Sequence, residues 1–258
     1  MQEIVLVNVG NTNTQVAVAA GRELDGVRSF PTSGLVYQEE FREFAVSVSG
    51  RPWFVGSVVP AVSRELEALV GLERTRFLSV DMITDLDFSQ VTAETIGADR
   101  LANAVAAVDA AGVPAIVVDC GTAITTEVID RERRFRGGTI MPGRRLQRQA
   151  LAVNTGLLPD VELATEKPNV PGTETASAII AGIDVGLLGA VRTIIAETRG
   201  AIGEPDCPVL TVGGDATFFM EALPELTPGG VDLTLRGLAL IALNACLGSV
   251  AEADEKDA

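Results

Sequence analysis

The stretch "LVNVGNTNTQVAVAAG", residues 6–21, and "AIVVDCGTAITTEVID", residues 115–130, share one pattern. Each reads as an apolar strand, a small polar turn around one glycine, and a second strand. Laid one on the other, Asn8 falls on Asp119 and Gly10 on Gly121, and threonines follow in both. A repeated unit at the head of each half of a chain constrains it to a duplicated architecture. We therefore expect an α/β protein of two equivalent domains, residues 1–112 and 113–258.

The turn is richer than a hairpin requires. Two residues such as Asn-Gly suffice to reverse a chain, yet Asn8, Asn11, Thr12, Asn13 and Thr14 crowd around Gly10. One reading is a decorated hairpin. The other is a phosphate cradle, with backbone N–H groups and hydroxyls turned toward an anion. Recurrence of the decoration in the second half favours the cradle.

Periodicity fills in the rest. Strands are expected at 4–9, 14–20, 26–30, 52–59, 75–80 and 208–214, besides the pair within 115–130. Helical spacing covers 34–50, 98–111, 143–153, 173–199 and 234–248, and "DATFFMEAL" follows the strand at 208–214. Pro60 suits the first turn of a helix closed by Gly71. The acidic ending "AEADEKDA" reads as a short solvated tail.

Composition removes several function classes. There is no histidine, and Cys120, Cys207 and Cys246 are isolated, so a zinc site or a His-based triad lacks material. A net charge of −15 argues against nucleic acid or an anionic membrane as partner. It leaves room for a phosphate held by local backbone donors. Neither GxxxxGK[ST] nor GxGxxG occurs, which excludes a P-loop and a dinucleotide fingerprint. The N-terminus lacks a signal-peptide pattern, and the apolar "LRGLALIALNACLGSV" reads as a buried helix, so a cytoplasmic protein is expected.

Two carboxylates stand out. Asp99, in "GADR" at 97–100, opens a helix, where it is either a favourable first-turn charge or a base for a substrate hydroxyl. Arg100 beside it suits an anionic group. Asp119 ends a central apolar strand, where it either closes an Asx turn or holds a cation near phosphate.

These motifs resemble those of the type III pantothenate kinases, of the acetate and sugar kinase, heat-shock ATPase and actin superfamily. The resemblance rests on "NVGNTNT" (8–14), "GADR" (97–100), "DCGTAITTEVID" (119–130), "GGTIMPG" (137–143), "NTGLLP" (154–159), "GTETASAIIAG" (172–182), "TVGGDA" (211–216) and "LTLRGLALIA" (233–242), in the family's order along almost the whole chain. It implies two duplicated actin-like, ribonuclease H-like domains with a cleft between them, and a homodimer. It also implies ATP-dependent phosphorylation of pantothenate, the first step of coenzyme A synthesis, with Mg²⁺ and a monovalent cation, K⁺ or NH₄⁺. By resemblance, Asp99 is the general base, and Gly97, Ala98 and Arg100 line the pantothenate site. Asn8, Val9, Gly10, Asn11, Thr12, Asn13, Thr14, Gln15 and Thr122 bind ATP phosphates. Asp119 holds the monovalent cation, and Thr175 reaches pantothenate across the dimer interface.

The chain departs from the family pattern at three places. Asn8 stands where an Asp is usual, Gln90 where an aromatic, often Tyr, is usual, and Glu127 replaces an Asp. Three functions therefore remain in view: an active pantothenate kinase with an altered metal site, a non-catalytic relative acting in binding or regulation, and a kinase for another small hydroxylated substrate.

Overall fold

A computed structural model describes residues 3–254. The chain divides into two units: residues 1–109 with 232–258, and residues 110–231. The last helix belongs to the first unit, because its apolar residues pack against that unit's sheet.

In the first unit, β1 (Ile4–Val9), β2 (Asn13–Ala20) and β3 (Glu23–Pro31) form an antiparallel meander, and β4 (Trp53–Ser57) and β5 (Thr75–Phe77) run parallel to β1. The order across the sheet is β3-β2-β1-β4-β5. Helices α1 (Glu39–Ser47) and α2 (Pro60–Val70) connect the strands, and α3 (Ala98–Ala111) ends the N-terminal run. Pro60 occupies the first turn of α2, and Gly71 ends the helix at φ 100°, a conformation L side chains rarely adopt. Val5, Val7 and Val9 pack with Phe41, Phe44, Trp53 and Leu66 in one core. Leu6, on the other face of β1, is fully buried where α7 (Leu233–Asp254) crosses the sheet. A central strand covered on both faces reads as a continuous apolar run.

The second unit repeats the plan. Strands β6 (Ala115–Cys120), β7 (Ala123–Ile129) and β8 (Ile140–Pro142) are antiparallel, while β9 (Val209–Val212) and β10 (Leu226–Pro228) run parallel to β6. The order β10-β9-β6-β7-β8 matches the first sheet strand for strand. Its helices are α4 (Arg144–Asn154), α5 (Thr175–Ile202) and α6 (Ala216–Ala222). Ile179, Ile183, Leu187, Val191 and Ile195 recur every fourth residue on α5 and form the core with Ile116, Val118 and Val209.

Among the described residues α5, rather than the late apolar segment, is long and apolar enough to cross a membrane, with a mean hydropathy of 1.9 over its most apolar window. Its buried stripe is the core of the second unit. Helix α7 carries the backbone of 251–254, and the rest of the expected acidic tail, 255–258, lies outside the described residues.

Candidate active site

The first polar turn is closed by its glycine. Gly10 N–H donates to Asn13 O at 3.0 Å, and a Cβ on Gly10 would lie only 2.9 Å from that same oxygen. Thr14 is fully buried, its hydroxyl 3.0 Å from that of Thr32, which in turn donates to Gly10 O at 2.7 Å. This side chain therefore shapes the turn from beneath. Asn11, Thr12 and Asn13 form the exposed rim, and Val9 is buried under it.

Asn8 pairs with Gln15 across the hairpin and lies beside Gly56 of β4. Its amide nitrogen is 3.5 Å from Gln15 Oε1, which leaves Asn8 Oδ1 buried and without a donor. A buried acceptor in that state costs about 1–3 kcal/mol. A cation-bound water would satisfy it, so an amide at this position fits a hydrated Mg²⁺.

The "GADR" residues meet this turn through Val58. Val58 N–H donates to Val9 O at 3.0 Å, and a Cβ on Gly97 would lie 3.2 Å from Val58 Cγ1. The same added carbon would lie 2.6 Å from Asp99 Oδ1, so glycine here makes room for the carboxylate. Asp99 Oδ1 accepts from Arg100 N–H at 2.8 Å. Burial pushes the Asp99 carboxyl up, opposed by that hydrogen bond and by the Arg100 charge. A first-turn contact and a perturbed carboxylate thus coexist on one residue. Beside it lies a pocket of about 390 Å³ walled by Ser57, Val58, Leu78, Ile96, Gly97 and Ala98. Gln90 is exposed and not in that wall, which is closed on its side by Ala93–Thr95.

Residues missed by sequence reasoning seat this helix. A Cβ on Gly237 of α7 would fall 2.0 Å from Ala102 O of α3, and one on Gly56 would fall 2.9 Å from Leu238 Cδ2. Thr234 Oγ1 donates to Asn103 Oδ1 at 2.7 Å in the same buried seam. The glycines were readable as letters, but their neighbours lie too far away in sequence to identify their use.

In the second unit Gly121 N–H donates to Ala123 O at 3.1 Å, closing a turn one residue shorter than its counterpart. Thr122 is exposed at its tip, and the Asp119 side chain lies at the end of β6. Gly213, at φ 95°, packs so closely that a Cβ there would lie 2.6 Å from Asp119 Oδ1 and 2.5 Å from Cys120 O. Gly143 N–H donates to Thr122 O at 2.9 Å, and its own Cβ would strike Gly121 O at 2.3 Å. The "GGTIMPG" and "TVGGDA" glycines therefore press against the turn from two sides. Glu127 is fully buried in β7. Thr175 is exposed at the start of α5, where it lines an apolar groove between α4 and α5.

Each unit thus carries a glycine-closed turn with a carboxylate on the same sheet or beside it, and in the first unit a pocket lies beside the half-buried Asp99. Residues 4–197 match the model of the type III pantothenate kinases. The chain belongs to the type III pantothenate kinase family. A type III pantothenate kinase of Akkermansia muciniphila is 34% identical over 92% of this chain and 97% of its own. Among solved structures, a conserved Baf family protein of Campylobacter jejuni superposes with a TM-score of 0.62 at 18% identity, covering 92% of this chain and 96% of that one. The activator of 2-hydroxyisocaproyl-CoA dehydratase from Clostridium difficile, solved with bound ADPNP, gives 0.57 at 12% identity, covering 97% and 98%. At those identities the two structures establish the fold alone, an α/β chain with two five-stranded mixed sheets.

Proposed function

We propose that this protein phosphorylates pantothenate with ATP, the first step of coenzyme A synthesis. The observation that carries this is the "GADR" corner: a partly desolvated Asp99 carboxylate, beside a pocket, one residue-contact away from a glycine-closed polar turn. Val58, Leu78 and Ile96 suit the dimethyl carbon of pantothenate, and Arg100 suits its carboxylate.

In the reaction the pantothenate hydroxyl oxygen bonds to the γ-phosphorus as the bond to the β-bridging oxygen breaks, and ADP leaves with that electron pair. Asp99 takes the hydroxyl proton. Its Oδ1 is engaged by Arg100 N–H, so Oδ2 is the oxygen that receives it. The rim residues Asn11, Thr12 and Asn13 on one turn, and Thr122 on the other, are the phosphate donors, on turns that the Gly10 and Gly121 N–H groups close. Such transfers depend mainly on position and on charge neutralisation.

Mg²⁺ supplies that neutralisation when bound, with Asn8 offering its amide oxygen. Asp119, beside Gly213, is the residue for a monovalent cation, K⁺ or NH₄⁺. Among the described residues no three His, Cys, Asp or Glu side chains gather as a metal cage. Mg²⁺ sites built largely on substrate phosphates need none.

We infer a homodimer acting in the cytoplasm; the groove between α4 and α5, about 510 Å³ and lined by Leu151, Leu158, Ile179 and Ile183, supports the homodimer. Exposed Val153 and Leu157 continue its apolar character. Thr175 on its rim would then be delivered to a partner's substrate. Asn8 favours a second reading, a relative that binds without turnover, since an amide brings no charge to the metal. ADP release measured with and without pantothenate separates the two.

A further inference from the structure

Helix α4 begins with "RRLQR", and Arg144 and Arg148 are almost fully buried. Both guanidiniums converge on Asp184 of α5, which is fully buried as well. Arg144 Nε and Nη2 donate to its two oxygens at 3.0 and 2.9 Å, a forked pair, and Arg148 Nη2 donates to both at 2.8 and 2.9 Å. Arg148 Nη1 also donates to Glu162 O at 3.0 Å, and Arg144 Nη2 to Ala164 O. Two cations on one anion leave a buried positive charge. Asp215 balances it, with Oδ1 3.3 Å from Arg144 Nη1. Arg144 also lies 3.6 Å above the Phe218 ring.

The two arginines differ in where they lead. Asp215 N–H donates to Cys120 O at 3.0 Å, and Gly143, the residue before Arg144, donates to Thr122 O at 2.9 Å. Arg144 therefore reaches both sides of residues 120–122, once through its neighbour's backbone and once through Asp215. Arg148 is tied to Asp184 and to the chain at Glu162, and in neither case to the turn.

We propose that Arg144 is a positioning residue for nucleotide: by gripping Asp184 and Asp215 together, it fixes the turn at 120–122 in the arrangement that meets ATP phosphate. The proposal rests on the kinase reading and adds to it a residue outside the motifs. Preorganised donors are effective because they need no rearrangement when the ligand arrives. Asp184 supplies the anchor, and Arg148 keeps that anchor neutralised.

The test compares Arg144→Met with Arg148→Met, each of which removes one guanidinium from Asp184. Affinity for a fluorescent ATP analogue is titrated without pantothenate, alongside KM for ATP and for pantothenate. Arg144→Met is expected to weaken nucleotide binding about tenfold or more, the scale on which outer-shell partners act at ligand sites. KM for pantothenate should stay put. Arg148→Met is expected to lower the melting temperature while keeping nucleotide affinity within about twofold of wild type, a split that purely structural roles for both do not produce. Equal effects of the two variants on affinity, or none from Arg144→Met, overturn the proposal. If Arg144→Met does not fold, Asp215→Ala decides: it removes only the outer contact with Arg144 Nη1, and unchanged nucleotide affinity overturns the proposal. A wild type that binds the analogue but shows no pantothenate-dependent ADP release contradicts the kinase reading alone, and the affinity comparison still stands. A wild type that binds no nucleotide overturns both.

Discussion

At the residue scale, the proposed chemistry rests on Asp99 and Asn8. Asp99 stands in the first turn of α3, and a capping role and the proposed role of base separate on substitution. Asn preserves first-turn hydrogen bonding but cannot take a proton. Asp99→Asn should therefore leave melting temperature and nucleotide binding nearly unchanged and lower turnover by about 10²–10⁴-fold. Burial raises the carboxyl's pKa, so the base form is lost on the acid side. Activity should fall, as pH drops, through a value above the usual Asp range of about 3.9, and this acid limb should be absent from Asp99→Asn. A turnover unchanged by the substitution would return Asp99 to the role of cap. Asn8 is the complementary case. Two unit charges about 4 Å apart interact by about 4 kcal/mol at an effective dielectric of 20. Solvent reduces that, and about 1–4 kcal/mol is about 10- to 1000-fold in rate. Asn8→Asp should raise turnover and lower the Mg²⁺ concentration for half-maximal rate, both read from steady-state kinetics. An inactive protein that stays inactive after the Asn8→Asp substitution would favour the binding-only relative.

At the element scale, most of the fold was legible from pattern. The repeated strand–turn–strand announced two matching sheets, each with a turn closed by a glycine N–H, at Gly10 and at Gly121. Strands buried on both faces, such as "AIVV", read directly as apolar runs. What stayed illegible was short, or depended on distant partners. β10 has three residues flanked by Glu225 and Gly229, too few to show a period. The destination of α7 depends on the fit of Gly237 against Ala102, more than a hundred residues away in the chain. The buried guanidiniums of α4 were hidden for a related reason: arginines at i and i+4 ordinarily mark a wet face, and only the buried Asp184 reverses that reading. Helices α4 and α5 also carry an expectation of their own. Their groove is apolar and open, and a second copy covering it would remove Val153 and Leu157 from water. Sedimentation at micromolar concentration should give a dimer, and replacing Gly182 in the groove by Glu should give a monomer with little turnover, since Thr175 would lose its partner. A wild-type monomer that is fully active would remove Thr175 from the site.

At the scale of the whole molecule, each unit repeats one five-stranded plan but supplies different chemistry. The first carries Asp99, the pocket beside it and the buried Asn8 amide oxygen. The second carries Asp119, its cross-braced turn and the apolar groove. Family membership rests on the span of the match, 4–197, and on identity across nearly the whole chain. The individual site roles are proposals, and turnover tests them together. The most direct measurement is ADP release with ATP, Mg²⁺ and K⁺, in the presence and absence of pantothenate. A pantothenate kinase built this way should give release that depends on pantothenate, with one phosphorylated product per ADP, faster in Asn8→Asp and nearly abolished in Asp99→Asn. Pantothenate-dependent release from neither the wild type nor Asn8→Asp would contradict the kinase assignment.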